Sequence, residues 1–118
     1  MFNTIIKGLG TYLPENVVTN HDLEKLMDTS DEWIQERTGI TERRWIPEGS
    51  EDTTAIMGVK AARKAIQNAG LEPSDIDFII FATLSPDYYF PGCGVLAQRE
   101  LGIDNIGALD VRNQCSGF

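Results

Sequence analysis

Cys115 is the residue whose type and surroundings point most directly to chemistry. It lies in the segment DVRNQCSGF, residues 110–118, where an apolar run leads into the cysteine and Gly117 keeps the following turn uncrowded. A cysteine between the carboxyl end of a parallel strand and a helix N-terminus lies where α/β sheets form active sites. Backbone N–H groups and the helix dipole stabilise a thiolate there. Position alone leaves two interpretations open, a nucleophile and a small buried core residue.

The other thiol and the single imidazole have simpler interpretations. Cys93 lies at a predicted helix start among glycines, where packing is the expected role. His21 is far from Cys115 in sequence and is expected to be solvent-exposed at a helix start, so we do not assign it as a catalytic base. One histidine and two widely spaced cysteines match no zinc pattern, and we predict no metal site.

Trp33 and Arg37 are a candidate binding pair because they are four residues apart and share one face of a predicted helix. An indole can stack on a flat base, and a neighbouring guanidinium can hold a phosphate, so the pair could form a platform for a nucleotide. The alternative is a buried tryptophan beside a surface arginine, which is the commoner arrangement. The GLGTYL segment matches only part of a dinucleotide-binding pattern, and no helix follows it.

The hydrophobic pattern predicts the elements that position these residues. The clearest helix covers residues 53–69, where apolar residues recur at spacings of three and four, and Asp52 is expected to cap it. A shorter helix is predicted between Thr29, which has capping-box spacing to Glu32, and Gly39. The other predicted helices cover residues 21–28, with Thr19 or Asn20 as the cap, and 93–101, and the predicted strands cover residues 4–13, 77–83 and 106–111.

The order of these elements predicts the fold class. Residues 77–83 are apolar at consecutive positions, which is typical of a strand buried on both faces, whereas residues 40–51 are predicted to be extended chain and loop. Strand, helix, buried strand, helix and strand are the βαβαβ order of a parallel sheet covered by helices. We therefore predict an α/β fold in a single domain, residues 1–118, which is incomplete at its C-terminal end because the last strand lacks a covering helix.

Composition excludes several classes of function. The net charge of −8 argues against a general binder of nucleic acid or of anionic membranes. No apolar stretch approaches the length needed to cross a bilayer, and the N-terminus lacks the pattern of a signal peptide. We therefore expect a cytoplasmic protein with reduced thiols, in which a Cys93–Cys115 disulfide is disfavoured.

Five segments together resemble the β-ketoacyl-acyl-carrier-protein synthase III family, the condensing enzymes that start bacterial type II fatty-acid synthesis. They occur in order along the whole chain as GLGTYLPENVVTN (8–20), DTSDEWIQERTGITERRW (28–45), AARKAIQNAGL (61–71), FATLSPDYYFP (81–91) and ALDVRNQCSGF (108–118). The resemblance implies a thiolase-like fold, of which this chain would be most of the N-terminal half, with a parallel-rich mixed sheet covered by helices. It also implies a homodimer and an acyltransferase activity.

The resemblance implies a role for each matching residue. Cys115 corresponds to the nucleophile that takes an acyl group from acyl-CoA and passes it to the carbanion formed from malonyl-acyl-carrier protein. Trp33 corresponds to the residue that stacks on the adenine of CoA, and Thr29 and Arg37 correspond to neighbours that contact its nucleotide part. Phe90 corresponds to an aromatic residue that reaches across the dimer into the partner's acyl pocket. Coenzyme A enters as a thioester substrate, and no resident cofactor is implied.

Two departures from the family pattern limit these expectations. Gln114 stands where the family usually has a small residue, which suggests a side branch with another primer or pathway. The family's decarboxylating His and Asn, and one oxyanion-hole N–H, belong to the other half of the fold, so this chain alone is expected to be inactive and to need that missing C-terminal part. The alternatives are a related thiolase-fold synthase that joins other acyl groups, and a non-catalytic module for CoA binding or dimerisation.

Overall fold

The computed structural model describes residues 3–113 and 115–117, which divide into two compact units. We call Leu13–Glu51 the antiparallel unit, and Met1–Tyr12 with Asp52–Phe118 the parallel unit. In chain order the elements are β1 (Asn16–Thr19), α1 (Asn20–Glu24), α2 (Asp31–Thr38), β2 (Glu42–Trp45), α3 (Thr54–Asn68), a 3-10 turn (Pro73–Asp75), β3 (Phe78–Ala82), α4 (Cys93–Leu101) and β4 (Gly107–Val111).

The parallel unit contains a strand–helix–strand crossover. Strands β3 and β4 pair in parallel, from Phe78 opposite Gly107 to Ala82 opposite Val111, and helix α4 connects them. Gly102 ends α4 in the left-handed conformation, with a φ of 72°, as its glycine predicts. The predicted α/β class, with a parallel sheet and helices, is therefore confirmed. The predicted bounds of α4 are confirmed as well.

The core of the parallel unit lies between the helices and one face of the sheet. Its buried members are Val59, Ala97, Leu101 and Ile103, with partly buried Ala62, Ile66, Ile76, Ile79, Phe81 and Ile106 packed around them. This confirms the apolar stripe predicted for residues 53–69, because the polar residues between its members are exposed. The helix itself begins at Thr54 and ends at Asn68.

Burial of strand β3 on both faces was expected, and that prediction is wrong for the described residues. Ile79 and Phe81 pack against the core, whereas the alternate residues Phe78 and Ile80 are 55% and 65% exposed. The physical reason is the period of two along a strand: only one face of the β3–β4 pair meets the core. Consecutive apolar residues therefore leave an apolar face uncovered within the described part of the chain.

The predicted cap of α3 needs a correction. The side chain of Thr53, not Asp52, accepts a hydrogen bond from the N–H of Ile56 at 3.3 Å. Asp52 instead accepts hydrogen bonds from the Tyr12 hydroxyl and from Lys60. Its contact with Tyr12 ties the residue before the cap of α3 to the N-terminal segment of the same unit.

The strand predicted for residues 4–13 is wrong, since the structure has neither strand nor helix in residues 3–15. Backbone carbonyl groups of this segment accept hydrogen bonds from side chains of α3 and not from a neighbouring strand. Asn68 donates to the carbonyl oxygen of Leu9 at 2.8 Å, and Lys64 donates to that of Thr11 at 3.0 Å. The apolar, β-branched composition of the segment does not reveal this pairing with a helix.

Two glycines allow the N-terminal segment to lie directly on the backbone of α3. A Cβ added at Gly10 would lie 2.2 Å from the carbonyl oxygen of Ala61, and one added at Gly8 would lie 2.3 Å from that of Ala65. Both distances are far inside van der Waals contact, and the opposing atoms belong to a helix backbone that cannot easily move. Gly8 and Gly10 are therefore required for close approach and not for a turn.

The antiparallel unit is built on strands β1 and β2, which pair from Asn16 opposite Trp45 to Thr19 opposite Glu42. Residues 40–51 were predicted to be extended chain and loop. Within them the structure has strand β2, whose pairing with β1 was not predicted. Helix α1 begins after the cap Thr19, one of the two predicted caps, but ends at Glu24, short of the predicted residue 28. No helix in the described ranges is both long and apolar enough to cross a membrane.

The cap predicted for α2 is displaced by one residue. Ser30, not Thr29, accepts a hydrogen bond from the N–H of Trp33 at 3.1 Å. Gly39 ends the helix with a φ of 70°, as predicted. Only Ile34 of this eight-residue helix is buried, so apolar packing contributes little to holding α2 in place.

Substituting Gly10 tests the close approach of the N-terminal segment to α3. We expect Gly10→Ala to lower the free energy of unfolding by about 1–3 kcal/mol, because the new methyl group overlaps the helix backbone. Urea unfolding of the 118-residue chain measures the change. Leu9→Ala is the matched control, since Leu9 is 71% exposed and its loss should cost no more than about 0.5 kcal/mol. Equal stability of Gly10→Ala and wild type would contradict the described contact.

Candidate functional site

Cys115 lies in a turn just beyond the carboxyl end of strand β4, and its side chain is exposed. Ala82 and Val111, the last residues of the paired strands, are opposite each other at this edge of the sheet. A Cβ added at Gly117 would lie 2.7 Å from the carbonyl oxygen of Asn113 and 3.5 Å from the Cβ of Ala82. The turn that holds Cys115 therefore folds back against the end of β3, and the thiol lies at the edge where α/β sites form.

Two neighbours of Cys115 that the sequence singled out, Gln114 and Phe118, lie outside the described residues. Cys115 and Ser116 themselves form a turn.

The carboxylate of Asp110 fixes helix α4 at the same edge of the sheet. From within β4, it accepts hydrogen bonds from the N–H of Cys93 at 2.7 Å and from that of Gly94 at 3.0 Å. These are N–H groups of the first helical turn, which have no partner within the helix. A Cβ at Gly92 would lie 2.6 Å from the Asp110 carboxyl carbon, and one at Gly94 would lie 2.8 Å from its oxygen. The flanking glycines therefore make room for this acid.

Asp87, in the loop between β3 and α4, plays the corresponding part for helix α3. Its carboxylate accepts hydrogen bonds from the N–H groups of Thr54 at 2.7 Å and of Ala55 at 2.9 Å. Burial opposes ionisation of this acid, but the hydrogen bonds outweigh it and hold the pKa of Asp87 below its ordinary value. An ionised carboxylate at a helix N-terminus is also favoured by the helix dipole.

Cys93 is a structural residue, as predicted. Its side chain is 0% exposed, and its sulfur accepts a hydrogen bond from the N–H of Asp87 at 3.4 Å. Burial is the main reason that the pKa of the Cys93 thiol is raised. Cys93 and Cys115 are both free thiols, so the exposed Cys115 is the one that a substrate can reach.

Phe90 is 91% exposed, in the loop that precedes α4. A neighbouring contact orders this loop: Arg112 donates to the carbonyl oxygen of Tyr89 at 2.5 Å, and its guanidinium lies 5.2 Å from the centre of the Tyr89 ring. Arg112 follows strand β4 on the way to Cys115. The contact therefore joins the two loops at the carboxyl edge of the sheet, and the predicted cross-dimer role of Phe90 stays a prediction.

Trp33 and Arg37 form an exposed pair on helix α2, which we call the Trp33–Arg37 platform. The indole is 52% exposed, and the guanidinium carbon of Arg37 lies 4.8 Å from the centre of its ring. A cavity of about 390 Å³ is lined by Asp28, Thr29, Ser30 and Trp33. The alternative of a buried tryptophan is therefore wrong, and the structure brings Thr29, Trp33 and Arg37 together. A flat exposed ring next to a cavity and a cation can accept a stacked base.

His21 takes no part in either site and is exposed at the start of α1, as predicted. Its Nδ1 lies 3.1 Å from the carboxylate of Glu24, which also accepts a hydrogen bond from the N–H of Asp31 at 2.8 Å. The contact with Glu24 is the main cause of a raised pKa at His21 and of a lowered pKa at Glu24. The pair therefore supports the first turn of α2 from outside the core.

Three residues whose side chains join distant elements were not singled out for this from the sequence: Asp87, Asp110 and Asn20, which contacts Asp31, Ile40 and Arg43. Asp87 and Asp110 accept hydrogen bonds from helix starts that are far away in sequence. In the sequence, only the glycines on either side of Cys93 could have indicated that another group lies against the start of α4. Asn20 was considered only as a helix cap. Within residues 3–113 and 115–117, no group of three or more His, Cys, Asp or Glu side chains is arranged to hold a metal ion.

Removing the His21 imidazole tests its pairing with Glu24. The pair stabilises the chain fully between about pH 4.5 and 6.5, where Glu24 is ionised and His21 is protonated. The contribution is lost as pH rises through the raised pKa of His21, and also as pH falls through the lowered pKa of Glu24. We therefore expect the stability gap between wild type and His21→Gln, measured by urea unfolding, to be largest in that window.

Lys25→Gln is the control for this measurement. It breaks the neighbouring 2.8 Å ion pair with Asp22, in which the pKa of Lys25 is raised and that of Asp22 is lowered. Both partners therefore stay ionised throughout the window, and the effect of Lys25→Gln should not vary with pH there. A gap for His21→Gln that is equally flat would show that the imidazole does not pair with Glu24.

Comparison with known proteins gives a consistent family. No protein-family model matches the chain. The chain is 54% identical over 113 residues to "Beta-ketoacyl-[acyl-carrier-protein] synthase III" of Chlamydia pneumoniae, an alignment that covers 96% of this chain and 33% of that protein. The crystal structure of 3-oxoacyl-[acyl-carrier-protein] synthase III from Aquifex aeolicus VF5 superposes with a TM-score of 0.89 at 49% identity, over 96% of this chain and 36% of that one.

A second solved structure is as similar in fold. The priming β-ketosynthase from the R1128 polyketide biosynthetic pathway has a TM-score of 0.89 at 36% identity, over 96% of this chain and 33% of that one. These structures confirm the predicted thiolase-like fold. The chain spans about a third of the length of the relatives that it matches. Over nearly its whole length the chain is similar to proteins named β-ketoacyl-[acyl-carrier-protein] synthase III.

Proposed function

We propose that the protein to which these residues contribute is an acyl-CoA-dependent condensing enzyme. It would join an acyl group to a unit derived from malonyl-acyl-carrier protein and release a 3-oxoacyl product at the start of fatty-acid synthesis. The observation that carries the proposal is the exposed Cys115 at the carboxyl edge of the parallel β3–β4 pair. The names of the similar proteins support the same reaction.

In the proposed first step, the Cys115 thiolate attacks the carbonyl carbon of an acyl-CoA. The new sulfur–carbon bond forms as the bond to the CoA sulfur breaks, and CoA leaves as the thiol after taking a proton. In the second step, malonyl-acyl-carrier protein loses carbon dioxide, and the resulting carbanion attacks the acyl group on Cys115. The cysteine is then released as a thiolate, ready for another acyl group.

The Trp33–Arg37 platform would bind the nucleotide part of CoA. The indole offers a stacking surface for adenine, the guanidinium offers a cation for a phosphate, and Thr29 lines the adjoining cavity. These groups touch a part of the substrate that does not react. They are therefore expected to affect the KM for acyl-CoA more than the rate of the chemical step.

The remaining machinery would come from outside these 118 residues. We propose that a segment not present in this chain supplies the decarboxylating His and Asn and an oxyanion-hole N–H, so this chain alone is inactive. Phe90 would enter the acyl pocket of a second copy in a homodimer. The proposed enzyme works in the cytoplasm, uses no resident cofactor or metal, and has acyl-CoA and acyl carrier protein as its partners.

A second candidate differs in the substrate and not in the chemistry. The priming β-ketosynthase of a polyketide pathway is similar over nearly the whole chain. Gln114 replaces the small residue usual before the nucleophile, which points to a side branch of the family. A synthase that primes a secondary metabolite, or joins longer acyl chains, would therefore use Cys115 in the same way. A non-catalytic CoA-binding or dimerisation module would not need the thiol.

A chimera tests the proposed function. The 118-residue chain is joined to the remainder of the Aquifex aeolicus 3-oxoacyl-[acyl-carrier-protein] synthase III, to which it is 49% identical. Condensation of acetyl-CoA with malonyl-acyl-carrier protein is followed by mass spectrometry of the 3-oxoacyl product. We expect Cys115→Ser to lower the rate at least about 10³-fold, because serine at its ordinary pKa is a far weaker nucleophile.

Cys93→Ser is the matched control. It makes the same change of sulfur to oxygen in a residue whose sulfur only accepts a hydrogen bond in the core, and the rate should be largely kept. A chimera that condenses equally well with Cys115→Ser would overturn the proposal. Faster loading of a longer acyl-CoA than of acetyl-CoA would favour the second candidate.

A further inference from the structure

Asn20 is the one polar residue that is buried as a whole among the described residues, at 1% exposure. Its amide nitrogen donates to the carboxylate of Asp31 at 2.7 Å and to the carbonyl oxygen of Ile40 at 2.8 Å. Its amide oxygen accepts from Arg43 at 2.5 Å, and its backbone N–H donates to the carbonyl oxygen of Thr41 at 3.3 Å. One side chain therefore joins α1, α2 and β2.

The two donated hydrogen bonds reach both ends of helix α2. Asp31 is the first residue of the helix, and Ile40 directly follows Gly39, its C-terminal cap. Since both acceptors bind the same nitrogen, the chain that leaves the helix returns toward its first turn. The helix lies within a loop of chain that Asn20 closes.

Apart from the exposed hydrogen bond from the N–H of Asp31 to Glu24, few contacts in the antiparallel unit can set the direction of α2. Its buried apolar side chains among the described residues are Pro14, Val18 and Ile34. A helix of eight residues is marginal without tertiary contacts, and three buried side chains supply few of them. Trp33 and Arg37 lie on this helix. The orientation of the indole and of the guanidinium therefore depends on the contacts that hold α2 in place.

We propose that Asn20 is a positioning residue for the Trp33–Arg37 platform: its buried amide fixes helix α2 so that the indole and the guanidinium meet the nucleotide of CoA together. This inference rests on the proposed function, which supplies the nucleotide. Asn20 does not touch the substrate in this assignment. It acts through Asp31, two residues before Trp33, and through the chain that follows the helix.

The substitution Asn20→Asp keeps the size of the side chain and the acceptor for Arg43. It replaces the donating amide by a carboxylate that faces the Asp31 carboxylate and the Ile40 carbonyl oxygen, and both hydrogen bonds to the ends of α2 are lost. A buried polar group that loses its partner weakens the arrangement enough to raise the KM for acetyl-CoA about tenfold. Trp33→Ala removes the indole of the platform, and the rise that it causes in the KM for acetyl-CoA is the reference for the effect of Asn20→Asp.

Gln35→Ala is the matched control. The Gln35 amide also donates to the Asp31 carboxylate, at 2.7 Å, but it does so from within the same helix and from an exposed position. Its loss removes a hydrogen bond of the same kind to the same acceptor and leaves α2 joined to α1 and β2. We expect the KM for acetyl-CoA to stay unchanged.

The experiment compares two acyl donors in the chimera that carries the complete 118-residue chain. Acetyl-CoA has the nucleotide, and acetyl-S-N-acetylcysteamine lacks it. We expect Asn20→Asp to raise the KM for acetyl-CoA, to leave kcat with acetyl-CoA nearly unchanged, and to leave kcat/KM for the truncated thioester unchanged. A merely structural role would lower activity with both donors alike, and that result, or an unchanged KM, would overturn the inference.

Two further readouts keep the outcomes distinct. If Asn20→Asp fails to fold, Asp31→Ala removes the bond from Asn20 to the first turn of α2, together with the Gln35 bond that Gln35→Ala removes by itself. We expect Asp31→Ala to raise the same KM by less than Asn20→Asp would but by more than Gln35→Ala does; no such rise would overturn the inference. If wild type and Trp33→Ala use acetyl-CoA with the same KM, the nucleotide does not bind at the platform, and the proposed function of these residues fails first.

Discussion

The carboxylate of Asp110 is the contact on which the arrangement of the parallel unit depends. It lies on β4 and binds the free N–H groups at the start of α4, so the strand and the helix meet at a fixed point. Such a cap stabilises a helix by about 1 kcal/mol, which is modest. Its larger effect is on geometry. Gly92 and Gly94 have no side chains, so the Asp110 carboxylate lies directly against the backbone at the start of α4.

Several features of the sheet edge follow from this contact. Cys93 is the first residue of α4 and lies next to Asp110. Its buried sulfur accepts a hydrogen bond from the N–H of Asp87. Asp87 in turn binds the start of α3, so the two helices are joined at their N-termini through one loop. The same strand that carries Asp110 leads through Arg112 to Cys115. The thiol is therefore exposed just beyond an edge of the sheet where hydrogen bonds join the strands and helices.

The antiparallel unit is held together in another way. Its buried apolar side chains are few, and the buried amide of Asn20 replaces them as the contact between elements. Hydrogen bonds have strict directions, whereas apolar contacts do not, so a satisfied polar group can define one orientation of a short helix. This matters for α2, which presents the Trp33–Arg37 platform on its surface.

The sequence predicted those features that depend on local patterns. The stripe of α3, the bounds of α4 and the stops at Gly39 and Gly102 follow from spacing and from glycine, and the structure has them. The strand predicted at residues 4–13 failed because an apolar segment can pair with a helix as well as with a strand. The roles of Asp110 and Asn20 could not be predicted, since their partners are distant in sequence. The position of Cys115 after a strand left a nucleophile and a buried core residue both open. Its role as a nucleophile, like the roles of Thr29, Trp33 and Arg37, was assigned by resemblance and stays a prediction.

Direct detection of the acyl group on Cys115 tests the central claim. The chimera is incubated with acetyl-CoA in the absence of malonyl-acyl-carrier protein and is then digested with trypsin. Cleavage after Arg112 places Cys115 in a peptide that begins at Asn113, whereas Cys93 falls in the peptide of residues 65–99. We expect an acetyl group on the first peptide and none on the second. Acetylation of Cys93, or condensation without any acetyl group on Cys115, would contradict the assignment of Cys115 as the nucleophile.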